Sequence, residues 1–148
     1  ILKKEAKGLT GVMHCYSGSW EMAKELIKMN FFLSVGGPVT FKNSAKLPEI
    51  VAKIPLEYLL LETDCPYLTP QPYRGKRNEP AYIKIIAEKI AQIRNITVEE
   101  LAVTTTDNVK NLFYKDWRQS HGRLIHKDDP RPTHQCPAHG KHLLFSTT

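Results

Sequence analysis

The chain has 148 residues, 41% hydrophobic and 24% charged, with a formal net charge of +6. That length suffices for one ordinary domain with a real core. The composition excludes a low-complexity polymer, and no apolar stretch approaches the ~18–20 residues of a membrane span. Residues 1–114 carry +3 and residues 115–148 another +3 in far fewer positions. Mild basicity of this kind suits a polyanionic substrate and equally suits a solvated surface.

The N-terminus, Ile1-Leu2-Lys3-Lys4, has neither an initiator Met nor a signal-peptide pattern. The expectation is a chain that begins mid-protein. Cys15, Cys65 and Cys136 are an odd number at wide spacing, which is not a disulfide framework. A reducing cytoplasm is the expected compartment.

Residues 9–16 read as a short apolar strand of the buried, parallel-sheet type. Ser17-Gly18-Ser19 offers a turn and an N-cap. Residues 20–29 then place apolar side chains at 20, 23, 26 and 27, a helical stripe. Residues 31–35 return to strand, and Gly36-Gly37-Pro38 ends it. A short helix is expected over 44–52, capped by Ser44 and stopped before Pro55. Residues 58–62 form a third strand, and a loop rich in Pro and Arg runs from Asp64 to Pro80. Pro80 suits the first turn of a helix at 81–94, with Ile83, Ile86, Ala87, Ile90 and Ile93 on one face. Thr97 to Glu100 is a capping box that opens another helix. A last helix is expected at about 107–114, with Asp107 as cap and Val109, Leu112 and Phe113 as its apolar side.

Strands alternating with helices at this spacing predict parallel βα units. Three strands cannot close a barrel, and an eight-unit barrel takes roughly 250 residues. The chain is therefore either a small open sheet or a piece of something larger. After residue 114 the periodicity stops, and 115–148 reads as an unrelated, disordered tail.

Two strand ends carry the chemistry. One is Gly11 to Gly18 (GVMHCYSG), and the other is Leu60 to Pro70 (LLETDCPYLTP). Catalytic groups of parallel α/β barrels sit at such C-terminal strand ends. Imidazole nitrogen and carboxylate oxygen are the usual ligands of hydrolytic Zn²⁺, Mn²⁺ or Mg²⁺, so His14 and Asp64 are the candidate ligands, with Glu62 a further strand-end carboxylate. Each taken alone is more often an ordinary strand-end residue.

The strings GVMHCYSGS, SVGGPVTF, LLLETDCPYLTP, RGKRNEP and TTTDNVKNLF, in this order across residues 8–114, resemble the TatD family of metal-dependent deoxyribonucleases. The resemblance implies a (β/α)₈ TIM-type barrel of which this chain supplies about the last three strands and their helices. It implies a divalent-metal-dependent hydrolase that cleaves phosphodiester bonds in DNA with a metal-activated water. By the same resemblance, His14 is a metal ligand, with Tyr16 where Phe is commoner two residues on. Asp64 is a ligand and handles the proton of the attacking water, and Glu62 supports the site. Arg74 or Arg77 contacts a substrate phosphate, as guanidinium suits that geometry. The family's N-terminal HxH motif, its bridging Glu and its further His have no counterpart in this chain. The expected partners are a DNA substrate and the missing N-terminal half of the barrel. The alternative is a catalytically inactive barrel fragment.

Two other readings carry less. Cys15 as a nucleophile beside His14 is poorly arranged, because adjacent strand residues point to opposite faces. His134, Cys136, His139 and His142 sit close in the tail, but a single Cys does not meet zinc-finger spacing.

Overall fold

Phe31–Val35 forms the central strand β2, with all five residues buried. It lies between β1 (Gly11–Met13) and β3 (Leu59–Leu61), parallel to both. Met13 is level with Leu33, and Leu33 with Leu59. The computed structural model describes residues 2–121 and 144–145, with side chains through Phe113. Within those residues a short strand β4 (Leu144–Phe145) runs parallel along the other edge of β1, so the sheet order is β3-β2-β1-β4.

Strand alternation sorts the side chains onto two faces. Met13, Phe31, Leu33, Val35 and Leu59 pack into the main core with the helices. Val12, Phe32 and Leu60 point to the opposite face and form a smaller cluster with Leu112. The helices are α1 (Leu2–Glu5), α2 (Trp20–Lys28), α3 (Lys46–Lys53), α4 (Ile83–Arg94) and α5 (Val98–His121). Ala23 and Leu26 of α2, Leu47, Ile50 and Val51 of α3, and Ile86, Ala87, Ile90 and Ala91 of α4 fill the main core. No helix among the described residues is long and apolar enough to cross a membrane.

The order strand, helix, strand, helix, strand, long loop, helices is as expected, and several boundaries differ. β1 is three residues long rather than the expected 9–16, although Tyr16 N–H still bonds Ser34 O at 2.9 Å beyond it. α3 starts at Lys46 with Ala45 as its N-cap and no side-chain cap. Ser44 instead closes a turn, its N–H donating to Phe41 O at 3.0 Å. The capping box forms as expected: Glu100 N–H donates to Thr97 Oγ1 and Thr97 N–H to Glu100 Oε2, at 3.1 and 2.9 Å.

The expected break before 107 does not occur. α5 runs unbroken through the three threonines, with the Thr104 and Thr105 hydroxyls donating to the carbonyls of Glu100 and Leu101 four residues back. Asp107 is thus mid-helix, 3.5 Å from Lys110, and not a cap. Of the expected apolar side, Leu112 is buried while Val109 and Phe113 are largely exposed. Asn108 takes the inward position and donates to Leu56 O and Leu59 O at 2.7 and 2.9 Å, fixing α5 to the start of β3. Of the tail, 122–143 and 146–148 lie outside the described residues.

Leu33 is fully buried at the centre of the sheet. Leu33→Ala is expected to lower the unfolding free energy by about 2–5 kcal/mol, read from urea denaturation followed by circular dichroism.

Candidate metal centre

The polar ends of the strands continue the apolar alternation beneath them. Val12 leads to His14, Phe32 to Ser34 and Leu60 to Glu62, all in step on the face opposite the main core. β1 and β3 are not neighbours, so groups from their ends must meet across β2, a span of about 10 Å at two strand spacings. Gly36 lies beside their path. A methyl group there would lie 3.3 Å from Glu62 Cγ and 3.4 Å from Asp64 Oδ2, so the missing side chain eases the gap through which both carboxylates reach His14.

They do reach it. His14 Nε2 lies 2.9 Å from Asp64 Oδ1 and 3.2 Å from Glu62 Oε2. One ligand atom from each of the three residues falls within 4.8 Å of the others. His14 exposes 38% of its side chain, and the two carboxylates 12% each, so the cluster is open on the imidazole side. Glu62 Oε1 also accepts the Cys15 N–H at 2.6 Å. That bond steadies a backbone at Cys15 that is left-handed, with φ +49°. Asp64 is left-handed too, with φ +54°. Both residues carry a Cβ in a region that costs roughly 1–3 kcal/mol, and both adjoin or form part of the cluster.

The electrostatics are uncompensated. Burial, with the charge of Asp64 added, pushes Glu62 above the usual carboxylate range, against the opposing pull of the Ser34 hydroxyl and His14. Burial and then the adjacent carboxylates push the Cys15 thiol up to about 12, which keeps it neutral and unsuited to nucleophilic attack. Asp64 Oδ2 is buried with no hydrogen-bond partner. A buried carboxylate oxygen without a donor is costly. An imidazole nitrogen and two carboxylates converging beside such an oxygen form a donor set that fits a divalent cation.

Arg74 and Arg77 do not enter this cluster and are both exposed on the loop after β3. The Arg74 guanidinium carbon lies over the Phe41 ring, 3.9 Å from its centroid. Stacking uses the planar face and leaves the N–H edge available to an anion. Of the tail His and Cys residues, His126, His134, Cys136, His139 and His142 lie outside the described residues.

Sequence reasoning missed Gly36, Gly37 and Asn78. The paired glycines read only as a strand terminator, although a close backbone approach is the other reason for glycine at a strand end. At Gly37 that approach is tight: an added Cβ would come within 1.9 Å of Leu68 O. Asn78 lies inside the RGKRNEP string that otherwise drew attention to its arginines. It is 2% exposed, with its amide turned onto Thr63 O and Tyr67 O.

The profile of the family described as "TatD related DNase" matches residues 1–114. The Bacillus subtilis protein named "Uncharacterized metal-dependent hydrolase YabD" is 59% identical over 114 residues, covering 76% of this chain and 45% of that protein. Its Escherichia coli K12 counterpart YcfH, named in the same words, is 45% identical over 106 residues, covering 72% and 40%. Among solved structures, YJJV, a TatD homolog from Escherichia coli K12, superposes with a TM-score of 0.72 at 31% identity, over 76% of this chain and 44% of that one. A TatD-family hydrolase from Entamoeba histolytica gives 0.66 at 27% identity, over 76% and 46%. The chain therefore spans under half the length of the relatives it matches.

Two outcomes follow from the geometry. With its folded-state value raised, Glu62 contributes stability below the ordinary glutamate range and loses it as pH rises through the folded value. Glu62→Gln is therefore expected to raise the unfolding midpoint of the metal-free chain at neutral pH. The midpoint should be unchanged near pH 3, below the ordinary glutamate value of about 4.3. Denaturation curves across that range decide it. Gly37→Ala must displace the Leu68 backbone, and a loss of at least about 2 kcal/mol is expected by the same assay.

Proposed function

This chain belongs to the TatD-related DNase family of metal-dependent hydrolases, and we propose that it supplies the C-terminal strands of a TIM-type barrel that hydrolyses phosphodiester bonds in DNA. The observation that carries the reading is the convergence of His14, Glu62 and Asp64 around a buried, partnerless carboxylate oxygen. The family match and the metal-dependent naming of its relatives support it.

His14, Asp64 and Glu62 would hold a Zn²⁺, Mg²⁺ or Mn²⁺ ion. When bound, such an ion polarises a phosphoryl oxygen and makes an attacking water more acidic. The chain's own residues do the rest. The open side of His14 faces the approach of substrate, and the Asp64 carboxylate, held without any competing donor at Oδ2, takes the proton of the attacking water. Glu62, steadied by the Cys15 N–H, keeps negative charge beside His14. Arg74 presents its N–H edge from the Phe41 ring, and Arg77 lies three residues along the same exposed loop. In this reading one or the other binds a substrate phosphate, as guanidinium suits that geometry.

Three donors hold one ion. A two-ion phosphodiesterase site needs further ligands a few ångströms away, and we assign those to the remaining strands of the barrel, in the cytoplasm. The small donor set also supports a second reading, in which this chain binds metal alone and cleaves nothing without that partner segment.

Calorimetric titration of Mn²⁺ and Zn²⁺ into the chain, His14→Ala and Asp64→Ala tests the reading. Each substitution is expected to weaken binding by more than the ~10–100-fold seen when a group that merely orients a ligand is lost. Binding that both substitutions leave unchanged would sink the metal assignment. Tight binding without cleavage of a labelled oligonucleotide would favour the second reading.

A further inference from the structure

We propose that Asn78 is the positioning residue that sets the Asp64 turn, and that its side chain thereby governs the affinity of the metal centre. The second half of this statement rests on the metal reading above, and the first half does not.

Asp64 is in the left-handed region, which aspartate visits more readily than most residues, usually with local hydrogen bonds to support it. The turn's own bonding is thin. Tyr67 N–H donates to Asp64 O at 2.8 Å, and Leu68, four residues on, is left-handed as well, at φ +54°. Asn78 supplies the missing restraint from outside the turn. Its Nδ2 donates to Thr63 O and to Tyr67 O, the carbonyl just before Asp64 and the one three residues after it. Its Oδ1 accepts the Glu79 N–H at 2.9 Å, so both sides of the amide are used. Its backbone N–H donates to Pro66 O at 3.0 Å. One buried side chain therefore spans the two ends of the turn that aims the Asp64 carboxylate through the Gly36 gap.

The competing explanation is an ordinary buried asparagine that adds stability and no more. Asn108 provides the matched control. It is also buried, 5% exposed, and its Nδ2 also donates to two main-chain carbonyls. Those carbonyls belong to Leu56 and Leu59, at the opposite end of β3 from Asp64.

The experiment compares the 148-residue chain with Asn78→Ser and Asn108→Ser. Amide hydrogen exchange is measured by NMR without metal, and Mn²⁺ affinity by calorimetry. Serine keeps the Asn78 backbone bond to Pro66 and shortens the arm. Exchange at Ile90, in the core of α4, reports global stability. In Asn78→Ser, exchange of the Tyr67 amide is expected to accelerate about tenfold beyond any change at Ile90. Mn²⁺ affinity should fall roughly 10–100-fold. In Asn108→Ser, Tyr67 should follow Ile90, and the affinity of the folded protein should stay at its starting value.

Equal effects of the two substitutions on Tyr67 would overturn the proposal. So would loss of folding in Asn78→Ser while Asn108→Ser still folds, because Asn78 would then hold the whole domain and not the turn. If the unmodified chain binds no Mn²⁺, the metal reading fails, and the exchange comparison still decides the role of Asn78.

Discussion

The centre depends on donors from the first and third strands of a parallel trio meeting across the strand between them, and Gly36 at the end of that strand gives them room, since an added Cβ would lie 3.3 Å from Glu62 Cγ. The surrounding features follow from this gap. The carboxylates cross above β2 because its last apolar residue, Val35, points into the main core and its next residue has no side chain. Gly37 then lets the Leu68 backbone close down against the same strand end, which brings the loop after Asp64 over β2. A glycine pair thus fixes both where the carboxylates go and how closely their loop packs.

The same arrangement explains why the metal-free cluster sits badly in electrostatic terms. Two carboxylates beside one imidazole carry more negative charge than a single proton offsets, and burial raises the cost. Glu62 and the Cys15 thiol are raised chiefly by burial and further by the neighbouring carboxylate charge, and Asp64 Oδ2 is buried without a donor. Left-handed backbone at Cys15 and Asp64 adds strain in the same place. Stability has been given up where it would otherwise be easy to recover, since an amide at 62 or a hydrogen-bond donor beside Asp64 would relax the site. A cation removes the excess without changing the fold.

The scaffold was legible in the sequence because it rests on periodicity. The buried run at 31–35, the stripe at 20–27 and the isoleucine face at 83–93 each match one element, since burial of an apolar face dictates them locally. Boundaries were less legible. Asp107 reads as the cap of a separate last helix, yet α5 runs through it unbroken. Ser44 reads as a cap, yet tertiary packing starts α3 at Lys46. The donors at strand ends were visible as residue types, and a parallel sheet puts such ends side by side. Gly36 and Asn78 were not visible as site residues. Their roles consist of contacts with segments 26 to 28 positions away for Gly36 and 11 to 15 for Asn78's side-chain bonds, and no local pattern records these.

Openness gives the cluster a direction. Glu62 and Asp64 are shielded while His14 is more than a third exposed, so anything approaching meets the imidazole first and the carboxylates behind it. Arg74 and Arg77 are exposed on the loop after β3, with the Arg74 guanidinium over the Phe41 ring. In the cluster, His14, Glu62 and Asp64 would hold a cation, and when bound such an ion would supply Lewis-acid chemistry to a hydrolysis. The sheet face below the cluster is apolar at Val12, Phe32 and Leu60, and in a closed barrel that face is interior. Ligands from further strands would then arrive from across the same interior, opposite Glu62.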